Sequence, residues 1–331
     1  MALLARITFF YLLAGSLVVT VFRDDPLRLL GEIAQRLPAS LTLFVTIGSW
    51  ALPVLGLMLA FVPRGDRLRR LSQAVVAVFL SMAFFLVFTM LKTTMPHIQP
   101  FWADGMLAAT DRALHFGHDP WALAHRLEPW IDAALAGRIY FDLWAMPAMF
   151  LPVLLILTDG DAERVNRFIR LHAFAWIVLG NIVALALLSA GPVYHDRLLG
   201  GDGFAGLAHA LAQSGVADSR MGAIQERLWQ AYVTGAQEAG SGISAFPSVH
   251  LAMATVIALY LYDRWRFLAP MSVALVATYL FLSVYLGWHY AIDGYFSIAA
   301  VTGVWAWLRR REALRSAVSS TDPAGALVAA E

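Results

Sequence analysis

At 331 residues, with 60% hydrophobic and only 14% charged side chains, the chain is too apolar for a soluble globular domain and is expected to be an integral membrane protein. The absence of cysteine excludes disulfides, thiolate nucleophiles and cysteine-ligated metals, and leaves the redox compartment unread. A formal net charge of +1 says little about partners, and no nucleic acid is expected as one.

Apolar runs of roughly twenty residues, the length that crosses a hydrocarbon core, recur about eight times. They lie near 5–22, 41–62, 72–91, 139–158, 171–190, 247–262, 268–286 and 291–308. The first lacks a small-residue cleavage site and continues into "FRDDP", so it reads as a retained anchor. Short loops on one side hold Arg64, Arg67, Arg69 and Arg70, then Arg164, Arg167 and Arg170, then Arg264 and Arg266, then Arg309, Arg310, Arg311 and Arg315. The positive-inside rule places those loops and both termini in the cytoplasm. On the opposite side, Phe101 to Gly137 spaces Leu and Ala helically around Trp121 and Trp130, as amphipathic helices along the outer interface would. The Gly- and Ala-rich segment from Gly191 to Ile243 is expected to form a lid or further short helices, and the stretch from Ser316 onward a disordered cytoplasmic tail. With neither a repeat nor a linker, the expected architecture is an all-α polytopic membrane bundle: N-terminal spans over 1–66, a catalytic core over 67–310 and a tail over 311–331.

Span parity sets three polar clusters at one level. Lys92 ends the third run, Pro247-Ser248-Val249-His250 opens the sixth, and His289-Tyr290-Ala291-Ile292-Asp293 opens the eighth. Ionisable groups at membrane depth cost several kcal/mol unless paired, which marks them as functional candidates. Four residues apart, Asp293 can orient the His289 imidazole as a nucleophile or base. Pro247 suits a first helical turn, leaving the N–H groups of Ser248, Val249 and His250 to face an anion, and the eighth run brings a second helix start to the same place. His250 can protonate a leaving oxygen, and Lys92 supplies fixed positive charge. Together they describe a phosphoryl-transfer site.

Blander roles compete: histidines satisfied by water or a carbonyl, an Asp293 that serves its own helix dipole, a snorkelling Lys92 and a Ser248 that only caps. His115 and His118 in "HFGH", with Asp111 nearby, lack a third strong ligand, so no metal is expected there. Trp288 and Tyr290 fit an interfacial aromatic belt that also shapes a headgroup pocket.

At these clusters the chain resembles the type 2 phosphatidic acid phosphatase superfamily, membrane enzymes with a six-helix core and three ordered motifs. "KTTMPHIQP" is similar to K-x6-RP, keeping Lys92 and Pro100 with Gln99 where Arg is usual; "SAFPSVH" is similar to S-x-x-PSGH, keeping Ser244, Pro247, Ser248 and His250 with Val249 for Gly. "SVYLGWHYAID" resembles SR-x5-H-x3-D, keeping Ser283, His289 and Asp293 with Val284 for Arg. The resemblance runs from the third run to the eighth and implies His289 as a phosphohistidine-forming nucleophile, Asp293 as its partner and His250 as the acid. It further implies Lys92 and the backbone around Ser248 and Val249 as phosphate ligands, with no metal and no cofactor. A phosphodiester carries about one charge against nearly two for a monoester, so the two missing arginines argue for a diester. "FPSVH" and "GWHYAIDG" look like the inositol phosphorylceramide synthase branch, whose members move a phospho-headgroup between lipids; "AGPVYHDRL" also looks similar, and its Arg197 is a candidate replacement for one lost arginine, as Gln99 is for the other. The expected activity is therefore a lipid phosphotransferase with a phospholipid donor and a lipid hydroxyl acceptor, its site facing away from the cytoplasm, in a bacterial inner membrane, with an endomembrane whose lumen the site faces as the other option. The alternatives are a lipid phosphate or polyprenyl diphosphate phosphatase that uses water, and a silent lipid-binding or transport protein.

Overall fold

In hydrocarbon every backbone amide must find its partner within the protein, so an apolar run either joins a closed barrel or forms a helix. The computed structural model describes residues 1–23, 25, 27, 56–60, 62–235 and 242–321, and it is built of helices. In chain order they are α1 (Ala2–Phe22), α2 (Arg67–Ile98), α3 (Asp104–Leu114), α4 (Ala133–Thr158), α5 (Ala162–Ala186), α6 (Ala205–Gln213), α7 (Arg220–Val233), α8 (Val249–Arg264), α9 (Ala269–Tyr285) and α10 (Ala291–Thr321), with shorter turns between. Among the described residues, α1, α2, α4, α5, α9 and α10 are each long and apolar enough to cross a membrane. The all-α polytopic expectation holds. The expected second span, 41–62, lies outside the described residues except for 56–60 and 62.

Helix α8 has 16 residues and is the central element, with Val249, Leu251, Ala252, Met253, Ala254, Thr255 and Val256 all buried. Around it pack α4, α5, α9 and α10. At the end where α8 begins, α3, α6 and the turns near Pro120 and Phe204 form a cap, through Leu107, Ala124, Phe204, Leu207 and Leu211 packed on Phe246, Tyr285 and Tyr290. At the opposite end the arginine-rich turns are tied down. Arg167 pairs with Asp263 at 3.0 Å and with Glu312, while Arg309 and the Trp305 indole reach the same Asp263 at 2.7 and 3.0 Å, joining α5, α8 and α10.

Three boundaries differ from the sequence reading. Helix α4 starts at Ala133, inside the segment read as interfacial, because the Asp132 carboxylate accepts the Leu135 amide at 2.6 Å and so caps it there. Pro247 does not sit in the first turn of α8: Ser248 is the cap, so the proline lies just outside the helix. Helix α10 runs on to Thr321, past the Ser316 at which a tail was expected to begin, and 322–331 lie outside the described residues. Helices α4 and α5 each contain π-wound turns, at Arg138–Asp142 and Phe174–Val183, a winding that adds a residue to a turn and re-aims side chains.

Candidate active site

Lys92 lies near the end of α2, His250 in the first turn of α8, and His289 in the turn between α9 and α10, with Asp293 in the first turn of α10. The turn that carries His289 is fixed by its backbone. Helix α9 closes with the amides of Trp288 and His289 both donating to the Ser283 carbonyl, at 3.1 and 3.2 Å, across a Gly287 whose φ of +74° suits glycine. Gly191, at φ +97°, lies against this turn so closely that a Cβ there would be 2.5 Å from the Trp288 carbonyl oxygen.

The imidazole of His289 is buried and its Nδ1 lies 3.1 Å from Oδ2 of the fully buried Asp293. Burial, and after it the Lys92 ammonium, hold His289 below the ordinary histidine range, so the ring is neutral at physiological pH. The rings of His250 and His289 are 6.2 Å apart, centroid to centroid, an interval that a phosphoryl group can bridge. Lys92 donates to the Ser244 carbonyl at 3.2 Å, and its charge acts on both imidazoles. Its backbone is in close contact with the loop leading to α8, where a Cβ at Gly242 would be 2.6 Å from the Lys92 carbonyl carbon. Ser248 caps α8 through its hydroxyl and donates its own amide to the Asp293 carbonyl at 3.3 Å, joining the starts of α8 and α10. That amide is therefore spent. The amides of Val249 and His250 have no acceptor among the described residues, which leaves two first-turn donors for an anion.

Among the described residues, several buried polar atoms here also lack partners: Oγ of Ser244, Nε2 of His250, Nε1 of Trp288, Oδ1 of Asp293 and the Tyr140 hydroxyl. Unsatisfied buried polar atoms are costly and few in native proteins. Their gathering around two histidines is what a site built for a polar ligand requires.

The second helix start does not serve an anion. The amides of Ala291 and Ile292 each donate at 3.0 Å to the carboxylate of Asp111, on α3, which occupies the end of α10 itself. Seven residues earlier on the same helix, Asp104 accepts the amides of Ala190 and Gly191 at 2.8 Å each and the Tyr290 hydroxyl at 3.1 Å. Burial pushes both carboxyls above the ordinary range, against the pull of these donors. These two acids were missed as site residues; two carboxylates a heptad apart on an otherwise apolar helix face were the signal. Tyr290 is 2% exposed and Trp288 buries its indole nitrogen, so both point inward and neither belongs to an outer aromatic belt. His115 stacks on Tyr295 and hydrogen-bonds its hydroxyl at 3.0 Å.

Gln99 and Arg197 are engaged elsewhere. The Gln99 amide donates to the Leu185 carbonyl, and Arg197 pairs with Glu226 at 2.6 Å beside the Trp229 ring. Arg197 and Glu226 line a cavity of about 400 Å³ in the cap, which shares Pro192 and Phe204 with the narrow pocket onto which His289 opens. The structure thus brings together Lys92, Ser248, Val249, His250, His289 and Asp293, and leaves Gln99 and Arg197 at its margin.

Chemically, this is a neutral, carboxylate-oriented imidazole facing a second imidazole, with an ammonium and helix-start amides beside them and little access for water. A family model described as the PAP2 superfamily matches residues 105–308, a stretch that holds both histidines, Ser248, Val249 and Asp293 and begins after Lys92. No curated protein matches the chain, and no solved structure does.

Proposed function

This chain belongs to the PAP2 superfamily of phosphatase and phosphotransferase enzymes, and from that premise we propose that it transfers a phospho-headgroup from a phospholipid donor to a lipid hydroxyl through a phosphohistidine. The observation that carries the proposal is the pairing of His289 with Asp293 opposite His250, in a site where neither Gln99 nor Arg197 stands in for the absent motif arginines: Gln99 is committed to Leu185 and Arg197 to Glu226. One ammonium and a few amides balance the single charge of a phosphodiester better than the near-double charge of a monoester.

In the first step the lone pair of His289 attacks phosphorus, the bond from phosphorus to the diacylglycerol oxygen breaks, and His250 gives its proton to that oxygen. Asp293 holds the Nδ1 side of the nucleophile and stabilises the charge that develops on it. In the second step a lipid hydroxyl attacks the phosphohistidine, its proton passes to His250, and the P–N bond breaks to restore His289. Lys92 and the Val249 and His250 amides stabilise the equatorial oxygens in both transition states. The arginine-rich turns lie at the far end of the bundle; the positive-inside rule, which reads such an end as cytoplasmic, supports chemistry in the extracytoplasmic leaflet, and the short loops suit a bacterial inner membrane.

The test is product analysis after reconstitution in liposomes that contain phospholipids with fluorescent acyl chains and different headgroups, together with a lipid alcohol. Diacylglycerol plus a new lipid bearing the phospho-headgroup is the expected outcome. Headgroup phosphate released only to water would replace transfer by hydrolysis, and turnover of no lipid would overturn both.

A further inference from the structure

His250 is held in an unusual way. Its imidazole lies against the Tyr140 ring at 4.2 Å and 9°, and against the Trp144 ring at 3.9 Å and 22°, centroid to centroid. Two near-parallel rings at that spacing occupy opposite faces of the imidazole. Both come from α4, four residues apart, where an ordinary helical turn separates side chains by about 6 Å, less than an interposed ring needs. The π-wound turn at Arg138–Asp142 falls at this point and widens the interval. The Trp144 indole also donates to the His250 carbonyl at 3.2 Å, so the clamp grips backbone and ring together. Behind it, Trp176 from the π-wound part of α5 packs on Trp144 and edge-on against Phe85 and Phe88 of α2, the helix that carries Lys92.

A proton donor in this position has a problem of charge. Lys92 from α2 and His289 from the α9–α10 turn act on His250, and Tyr140 from α4 stacks on it and is itself faced by Asp293 from α10; Lys92 opposes a second positive charge, and burial opposes any. Aromatic faces carry negative potential, and a cation between two of them is stabilised without pairing to a carboxylate, the one on α10 being engaged with His289. We propose that Tyr140 and Trp144 are positioning residues for His250, which hold its ring toward the leaving oxygen and stabilise its protonated form; the inference rests on the reading of His250 as proton donor.

The experiment compares two probes in mixed micelles: a dioctanoyl phospholipid, whose alkoxide cannot leave unprotonated, and a p-nitrophenyl phosphodiester, whose nitrophenolate can. For Trp144→Leu and Tyr140→Leu, turnover of the lipid should fall 10- to 100-fold with KM little changed, part of the ~10²–10⁴ that a positioned acid supplies. The first-turnover burst of nitrophenolate should stay within about threefold, because departure of that group bypasses the acid. The alkaline limb of the lipid profile should move about one pH unit toward acid, the tenfold that a cation–aromatic contact is worth. Trp144→Phe, which keeps a ring with a weaker face, should recover most of the turnover and shift the limb in the same direction by less. Equal loss on both probes, or an unmoved limb in folded variants, would overturn the inference; if the leucine variants fail to fold, an unmoved limb in Trp144→Phe does so. A His250→Asn enzyme that keeps lipid turnover would instead overturn the reading beneath it.

Discussion

Asp111 offers a quantitative test of how the site is built. Its carboxylate takes two amides at the start of α10, each at 3.0 Å, in surroundings that leave the side chain 4% exposed. Replacing it by alanine strands two buried donors. A lost cap costs about 0.5–2 kcal/mol, and each buried group left without a partner about 1–3 kcal/mol. Against this stands the relief of a carboxyl that burial already disfavours, so a net loss of roughly 2–4 kcal/mol is expected. Asp111→Asn keeps one acceptor and should lose about half as much. Ile292 and Asp293 are adjacent, so a relaxed helix start also moves the carboxylate that orients His289, and a shift of about 1 Å in such a group can cost on the order of 10²-fold in turnover. With no cysteine and 11 tryptophans, the chain suits label-free fluorescence melting in detergent and excludes thiol-reactive dyes. A drop of several degrees for Asp111→Ala, an intermediate drop for Asp111→Asn and parallel losses of turnover are expected. A melting temperature within one degree of wild type and turnover within twofold would refute this account of α3.

Gly191→Ala should destabilise the enzyme by about 1–3 kcal/mol and lower activity, since φ is +97° and the new methyl would meet the Trp288 carbonyl; a wild-type melt would contradict the close approach. Asp263→Ala leaves Arg167 and Arg309 without their shared acid and should cost about 3–5 kcal/mol in denaturant titrations, while the survivors keep normal KM because the network lies at the other end of the bundle. Asp104 and Asp111 have folded pKa values above 3.8, so their contribution to stability is complete below that value and is lost as pH rises through the folded values. The melting temperature of wild type minus that of an Asp104→Asn/Asp111→Asn double variant should therefore fall between pH 4 and neutrality; a constant or rising difference would show that the two carboxyls are not held above their ordinary range.

The parts of this site that were legible in the sequence are those fixed by local geometry. His289 and Asp293 are one helical turn apart, so helix periodicity puts them on one face, and Ser248 and His250 sit at the mouth of an apolar run, where a helix start is expected. Lys92 was legible because an ammonium that close to the end of a span demands a reason. What was not legible depended on distant partners. Asp111 meets Ala291 across 180 positions, and no local pattern announces that the amides of α10 are already taken. Gln99 and Arg197 were assigned by their place in a motif or loop, yet their side chains go to Leu185 and Glu226, which lie nearby only after folding. The clamp on His250 depends on a local change of winding in α4 that hydropathy does not register. Trp288 and Tyr290 misled for a related reason: aromatics beside a span usually face the headgroups, whereas here the α3 cap covers them.

The central claim is that His289 becomes covalently bonded to phosphorus. Rapid acid-free quenching of the reconstituted enzyme with donor lipid, followed by peptide mass spectrometry, reads this directly. The expected result is a base-stable, acid-labile phosphoryl adduct on His289, more abundant in His250→Asn when the lipid probe is replaced by the nitrophenyl diester, and absent from His289→Ala. An adduct on another residue, or full lipid turnover by His289→Ala, would contradict it.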